Sequence, residues 1–468
     1  MRSNGRISRR SFVTLAGTVG LGALAGCSSD GGDSVESPST ATDDGATPSP
    51  SPGTETDGNE GASALVGAIE REAVPVDLAA PAGNLDTVAA SLAESSVVGI
   101  GENSHGVADL KRASFRLVQR LVADHGYRLV AMEGTLGDFA PVNEYVTGGR
   151  DDLDAAMADL EFYFWRAAGI RRLFEWLREF NAGRPASDQA VVYGYDAQFF
   201  DVNARAIRAY LQRVDPAYLA SIEDTLDPLT SPLYERADPS FVTEARTDLL
   251  ADLRSRLQNR RTAYVEASSA SEWELAKRHV WTLERGLRYF ETVHTEGFAQ
   301  GKEIRDEAMA DTVQWLRDWT DSDRAVVLGN SNHTMGGASS EDLGTRMGQH
   351  LHDRLGDDYY SLGLLFGTGS FAVPGGPDAT AFETYDLDGP VEGTPAVTLT
   401  GVAHPRLFLD FDTARDRTVI DSWLETTSKI QFTVPRAAQR GAVPLPSLPG
   451  DVYDGVLFVR DVDPASFD

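Results

Sequence analysis

The stretch that decides the fold is "VVGIGENSHGVADLKRASFRLVQRLVADHGYRLVAMEG", Val97–Gly134. An apolar run ends in Gly-Glu-Asn-Ser-His-Gly, a pattern of helical period follows, and a second apolar run ends on Glu133. Both apolar runs are too short for a buried helix and lack the alternation of a half-exposed strand. They therefore read as strands covered on both faces. A strand, a helix and a second strand of this kind form a parallel crossover unit.

The same reading extends outward. "QAVVYGYDAQ" (Gln189–Gln198), "RAVVLGNSNH" (Arg324–His333), "YYSLGLLFGTGSF" (Tyr359–Phe371) and "VYDGVLFVRD" (Val452–Asp461) read as further strands. Asp109–Asp124, "DLDAAMADLEFYFW" (Asp152–Trp165) and "IRRLFEWLREFNAG" (Ile170–Gly183) read as helical, with Gly183 at the stop. A long helical stretch at about 201–320 is punctuated by Pro216, Pro228, Pro232 and Pro239. The expected fold class is α/β: a mainly parallel central sheet with helices on both faces and a long helical insertion.

Composition bounds the function. The 468 residues carry a net charge of −29, so nucleic-acid phosphate would be repelled. Only four residues are lysine, Lys111, Lys277, Lys302 and Lys429, among 42 basic residues. An acidic, lysine-poor surface suits a protein kept hydrated in high salt, where screening removes most of the self-repulsion. The lone cysteine, Cys27, excludes an intrachain disulfide and a Cys-based metal site.

"SRRSFVTLAGTVGLGALAGC" (Ser8–Cys27) resembles a twin-arginine export signal ending in a lipobox. Residues 1–27 are accordingly expected to be a signal, with Cys27 lipidated and the protein held at the outer face of the cytoplasmic membrane. Residues 28–61, rich in Ser, Thr, Pro, Gly, Asp and Glu, read as a solvated tether, and 62–468 as the globular domain.

Ligands of open parallel sheets bind at the carboxyl ends of the strands. Here the first strand ends in Glu102 and His105, the second in Glu133, the third in Asp196, and the fourth in Asn330 and His333. Any one of these could cap a helix or fill a turn, but four strands ending this way on one edge indicate a site. No Gly-x-Ser-x-Gly elbow is present, and "GENSHG" places a carboxylate where a phosphate would need bare amides. A histidine beside carboxylates can take a proton from water near neutral pH. Attack of that water on an ester needs a cationic or amide donor for the developing oxyanion.

"GENSHG" (Gly101–Gly106) resembles the Gly-Glu-x-x-His-Gly signature of the erythromycin esterase family. The similarity continues through "HGYRLVAMEG", "VNEYVTGG" (Val142–Gly149), "FWRAAGIRRLFEWLREFN", "VYGYDAQ", "RDEAMADTVQWL", "NSNH" and "RMGQHLHDRLGDDYYSLGLLFGTGSF", in the family's order from Val97 to Phe371. The resemblance implies an α/β hydrolase that opens macrolide lactones without metal or cofactor. It implies His105 as the general base on water, with Glu102 and Glu133 orienting His105 and bound water. Arg305 would bind substrate or oxyanion, and His333, which matches the second histidine of a His-Asn-x-His block, would join Glu102, His105 and Glu133 as catalytic; Asp196 and Asn330 are expected to contribute to substrate binding.

Three positions depart from the family pattern. Asn330 replaces the first histidine of that block, so the position can hydrogen-bond but not titrate. "RAAG" (Arg166–Gly169) lacks the acids that usually follow the Phe-Trp pair. Ser114 stands where an arginine often falls nine residues after the base, although Lys111, Arg112 and Arg116 lie nearby. Two other readings stay open. In the first, Glu102, His105, Glu133, Asp196 and His333 bind a metal that activates water. In the second, a tethered lipoprotein captures haem or another amphipathic ligand without turnover.

Overall fold

A computed structural model describes residues 54–80, 84–158, 160–231, 239–337, 344–374, 381–426, 428–433 and 442–467. The signal-like segment, Cys27 and most of the tether lie outside these residues. Among the described residues no helix is long and apolar enough to cross a membrane.

The strands are β1 (Val74–Pro75), β2 (Val97–Glu102), β3 (Leu129–Thr135), β4 (Val191–Asp196), β5 (Ala325–Asn330), β6 (Tyr359–Pro374), β7 (Phe382–Leu387), β8 (Arg406–Asp410), β9 (Ser428–Thr433), β10 (Ala442–Ser447) and β11 (Gly455–Val462). Nine of them form one sheet in the order β1-β8-β11-β6-β2-β5-β3-β4, with β7 paired to β6, while β9 and β10 form a separate hairpin. From β11 across to β4 every pairing is parallel. The β1–β8, β8–β11 and β6–β7 pairs are antiparallel. The sheet is thus mixed but mostly parallel, and the six strands legible in the sequence are its parallel members.

The helices used below are α1 (Thr54–Glu72), α2 (Leu85–Leu92), α3 (Ala108–Asp124), α4 (Leu136–Val146), α5 (Ala168–Asn181), α6 (Asp201–Val214), α7 (Pro216–Leu226), α8 (Glu244–Asn259), α9 (Ala270–Thr295), α10 (Phe298–Trp319), α11 (Ser331–Thr334) and α12 (Met347–Leu355). Alternation along the strands feeds two cores. Val98, Ile100, Val130 and Met132 join α3 and α5 on one face, whereas Val97, Leu129 and Ala131 join Met309 and Val313 of α10 and Met347 and Leu351 of α12 on the other. On α5 the buried stripe is Ile170, Leu173, Phe174 and Leu177. At about 1.5–3 kcal/mol per fully buried side chain, that stripe holds the helix far more strongly than its propensity could.

Several sequence expectations change in detail. Helix α1 starts at Thr54, inside the stretch read as tether, although residues 60–64 are exposed and packing begins at Leu65. Asp152–Trp165 is not one helix: only Leu153–Met157 is α-helical, and Tyr163–Arg166 forms a 3-10 turn. Phe162, Tyr163, Phe164 and Trp165 are all buried in mutual ring contacts, so tertiary packing overrides the local helical pattern. Within 201–320, Pro216 opens α7 at a position that tolerates proline. Pro228 and Pro239 lie in 3-10 turns, and Pro232 lies outside the described residues. The last helix of that stretch, α10, packs on the sheet itself, so the insertion supplies part of the site instead of only covering it.

Candidate active site

Parallel register levels the strand ends. Glu102 of β2 pairs with Asn330 of β5, and Thr135 of β3 with Asp196 of β4. The β3–β4 register shifts between Met132 and Thr135, where Glu133 sits. Glu102, Glu133 and Asp196 are all buried.

His105 lies three residues beyond β2, its side chain 22% exposed, in contrast to the buried carboxylates around it. Its Nδ1 is 2.7 Å from Glu102 Oε1, and its Nε2 is 3.4 Å from Asn330 Nδ2. The Asn330 Oδ1 accepts from the backbone N–H of Asn332 at 2.9 Å, which turns the amide nitrogen toward the ring. A donor beside Nε2 calls for a lone pair there, so the neutral ring carries its proton on Nδ1 and donates it to Glu102. One ring face is covered by Phe164, stacked at 3.7 Å between centroids and 3° between planes.

Glu102 has a second partner that sequence reasoning passed over. The buried Lys111 of α3 donates to the same Oε1 at 2.5 Å, with its Nζ 4.5 Å from the ring centroid of Trp165. Burial alone would raise the Glu102 carboxyl. Lys111 and the hydrogen bond from His105 override it and hold the group below the usual carboxylate range. The His105 ring thus leans on a carboxylate that stays charged.

Arg305 of α10 bridges the other acids. Its Nε and Nη2 donate to the two oxygens of Asp196 at 2.9 and 2.6 Å, and Nη2 lies 3.4 Å from Glu133 Oε1. Asp196 Oδ1 also accepts from the amides of Ala197 and Gln198. Expected as a substrate contact, Asp196 is buried with both oxygens engaged, and what it holds is Arg305. Glu133 Oε2 accepts from the Asn330 amide at 2.7 Å. Trp165 donates through Nε1 to the Glu133 carbonyl at 2.5 Å.

His333 of α11 is a buried brace. Its Nδ1 is 2.7 Å from Asp306 Oδ1 and its Nε2 3.7 Å from Glu133 Oε1. Asp306 also accepts from Lys302 at 2.9 Å and from the Met347 amide. Burial would raise the Asp306 carboxyl, but His333 and Lys302 drive it far below the ordinary range. The structure therefore gathers all seven sequence-proposed residues, Glu102, His105, Glu133, Asp196, Arg305, Asn330 and His333, and adds Lys111, Lys302, Asp306, Phe164 and Trp165.

Among the described residues no three His, Cys, Asp or Glu side chains converge as a metal would require. Lys111 engages Glu102, Arg305 engages Glu133 and Asp196, and Lys302 engages Asp306. These contacts turn the carboxylates toward fixed cations, an arrangement unlike a ligand set left open for an ion.

Fold and site together define an α/β protein with a histidine–carboxylate cluster at the carboxyl edge of a parallel sheet. The family model for erythromycin esterase matches residues 122–462, and the chain belongs to that family. It is 21% identical to erythromycin esterase type II of Escherichia coli over 380 residues, 73% of this chain and 88% of that protein. It is 19% identical to YbfO of Bacillus subtilis (strain 168), a proposed hydrolase, over 423 residues, 85% of this chain and 91% of that one. A solved structure described as a succinoglycan biosynthesis protein shares the fold, with TM-score 0.73 and 19% identity. That match covers 87% of this chain and 98% of the other.

Proposed function

We propose that the protein hydrolyses a carboxylic ester or lactone with water activated by His105. The observation that carries this reading is the partly exposed His105 ring, its Nδ1 committed to a charged Glu102 and its Nε2 beside the Asn330 amide. Water that takes the place of the Asn330 amide at Nε2 loses a proton to the ring as its oxygen attacks the carbonyl carbon. The carbonyl oxygen becomes the oxyanion, and the Asn330 amide and the Arg305 guanidinium are the nearby donors for it. Collapse breaks the bond to the alkoxy oxygen, which takes the proton back from His105. Acid and alcohol leave, and the neutral ring is restored.

Membership of the family supports a hydrolase, and a macrolactone is one substrate class to try. Asn330 supports a division of labour in which a single ring moves the proton, because an amide at this position cannot titrate. A screen of esters and lactones in high salt tests the reading, with His105→Asn as its control. That change keeps hydrogen bonding but removes the base, so kcat should fall by about 10²–10⁴-fold with KM little altered. A folded His105→Asn protein that turns over its best ester at the parent rate would end the assignment.

A further inference from the structure

The face-to-face stack of His105 on Phe164 joins two loops far apart in the chain, Asn103–Val107 and Phe162–Ala167. Neither loop belongs to the sheet. What holds them in register is a third segment, Asp463–Phe467, which leaves β11 and crosses both.

On the base loop, Ala465 donates its N–H to the Gly106 carbonyl at 2.8 Å, and Pro464 forms a bridge with Val107. The Asp463 carbonyl accepts from Ala108, and the Asp463 N–H donates to the carboxylate of Asp109 at 3.0 Å. On the aromatic loop, the Ser466 carbonyl accepts from Ala168 at 3.2 Å, and Phe467 forms a bridge with Ala167. The Phe467 ring lies 5.4 Å from Tyr163, the residue preceding Phe164, and stacks at 4.4 Å on Phe382. Behind Pro464–Ser466 is a cleft of about 150 Å³ bordered by Arg112, Phe115 and Arg172. The segment is therefore not wedged from behind, and its grip rests on these bonds and on the Phe467 ring.

We infer that Asp463–Phe467 is a clasp that sets the plane and reach of the His105 ring, with Phe467 as its positioning residue. This inference rests on the reading of His105 as the base. Phe467 does not touch the reacting atoms. It fixes Tyr163 and, through it, the neighbouring Phe164 shelf, while Ala465 shares with Ala372 of β6 the carbonyl one residue after His105. Loosening either end tilts the ring away from a water that must lie in line with Nε2.

The test compares Phe467→Ala, Phe467→Leu and Ala465→Pro with the parent. In Phe467→Ala, kcat should drop about tenfold to a hundredfold with KM nearly unchanged, as expected for an ångström-scale misplacement. Phe467→Leu, which refills the apolar contact, should recover most of that loss. Ala465→Pro removes one of the two N–H groups that the Gly106 carbonyl accepts, leaving that of Ala372, and should lower kcat while the Phe467 ring is intact. An independent readout needs no substrate: carbethoxylation of His105 by diethyl pyrocarbonate, read by peptide mass spectrometry, with His125 as internal reference. Unstacking should speed labelling of His105 several-fold and leave His125 unchanged.

A variant that loses thermal stability but keeps the parent kcat and the parent labelling rate at His105 would overturn the clasp. If Phe467→Ala does not fold, Phe467→Leu and Ala465→Pro are judged by the same two readouts. If no ester is turned over by the parent, the labelling arm still decides whether the clasp orients the ring, so failure of the two readings is told apart.

Discussion

Replacing Lys111 by methionine isolates the electrostatic design of the site. Lys111 is 1% exposed and donates at 2.5 Å to Glu102, itself 3% exposed. Removing one partner of a buried pair strands the other charge, which costs about 3–5 kcal/mol. The contact of the ammonium with the Trp165 face adds roughly 0.5–2 kcal/mol. Urea unfolding at neutral pH should therefore show a loss of about 3–5 kcal/mol for Lys111→Met. The double variant Glu102→Gln/Lys111→Met should recover much of it, because both charges are gone. A coupling energy well above the 0.5 kcal/mol or so of independent sites would follow from the cycle.

The pH dependence has a definite sign. In the parent, Glu102 titrates below its ordinary value of 4.5. Its stabilising contribution is present above that value and is lost as pH falls through the folded one. Without Lys111, burial dominates and the folded carboxyl titrates above the unfolded one. The variant then loses stability as pH rises, so its deficit is greatest near neutrality and narrows in acid. In activity, the uncompensated Glu102 should make the His105 ring hold its proton to higher pH, moving the acid limb of the rate profile alkaline. A Lys111→Met protein within 1 kcal/mol or so of the parent at neutral pH, with an unmoved acid limb, would show that the pair behaves like a surface contact and refute the reasoning.

Two further outcomes follow from single sites. Gly106→Ala should be strongly destabilising and nearly inactive, because a Cβ there overlaps the backbone carbonyl of Ala372 and neither chain can yield without moving His105; near-parent activity of the alanine variant would show that this approach is slack. Buried His279, bonded to Asn203, is pushed by burial from 6.5 down to about 4, so the unfolded chain binds the extra proton between those values and stability falls as pH drops. His279→Gln should lose that part of the acid dependence, worth roughly 3 kcal/mol across the window, in unfolding midpoints measured from neutral pH to about pH 4.

The parallel half of the sheet was legible because strands buried on both faces leave unbroken apolar runs, as in Val97–Glu102 and Leu129–Thr135. The antiparallel edge was not. Val74–Pro75 is two residues long, and Phe382–Leu387 is largely exposed, so neither carries an apolar run to read. The site residues that end strands announced themselves by position. Of those on longer helices, Arg305 was reached only through the family resemblance, and Lys302, Asp306 and Lys111 fit an amphipathic pattern as well as any surface charge.

The lysine count carries a signal for these helix residues. Where the chain needs a surface cation it overwhelmingly uses arginine, and it has four lysines in all. Two of the four, Lys111 and Lys302, are fully buried and each donates to a carboxylate of the cluster, Glu102 and Asp306. An ammonium is a compact point charge that three short bonds can satisfy, whereas a guanidinium needs five donors placed around a plane. At Lys111 the ammonium neutralises one carboxylate oxygen while its Nζ lies over the rings of Trp165 and Phe164, a setting that suits the compact charge. The placement of lysine in the site follows from the need to keep Glu102 and Asp306 charged behind the two histidines.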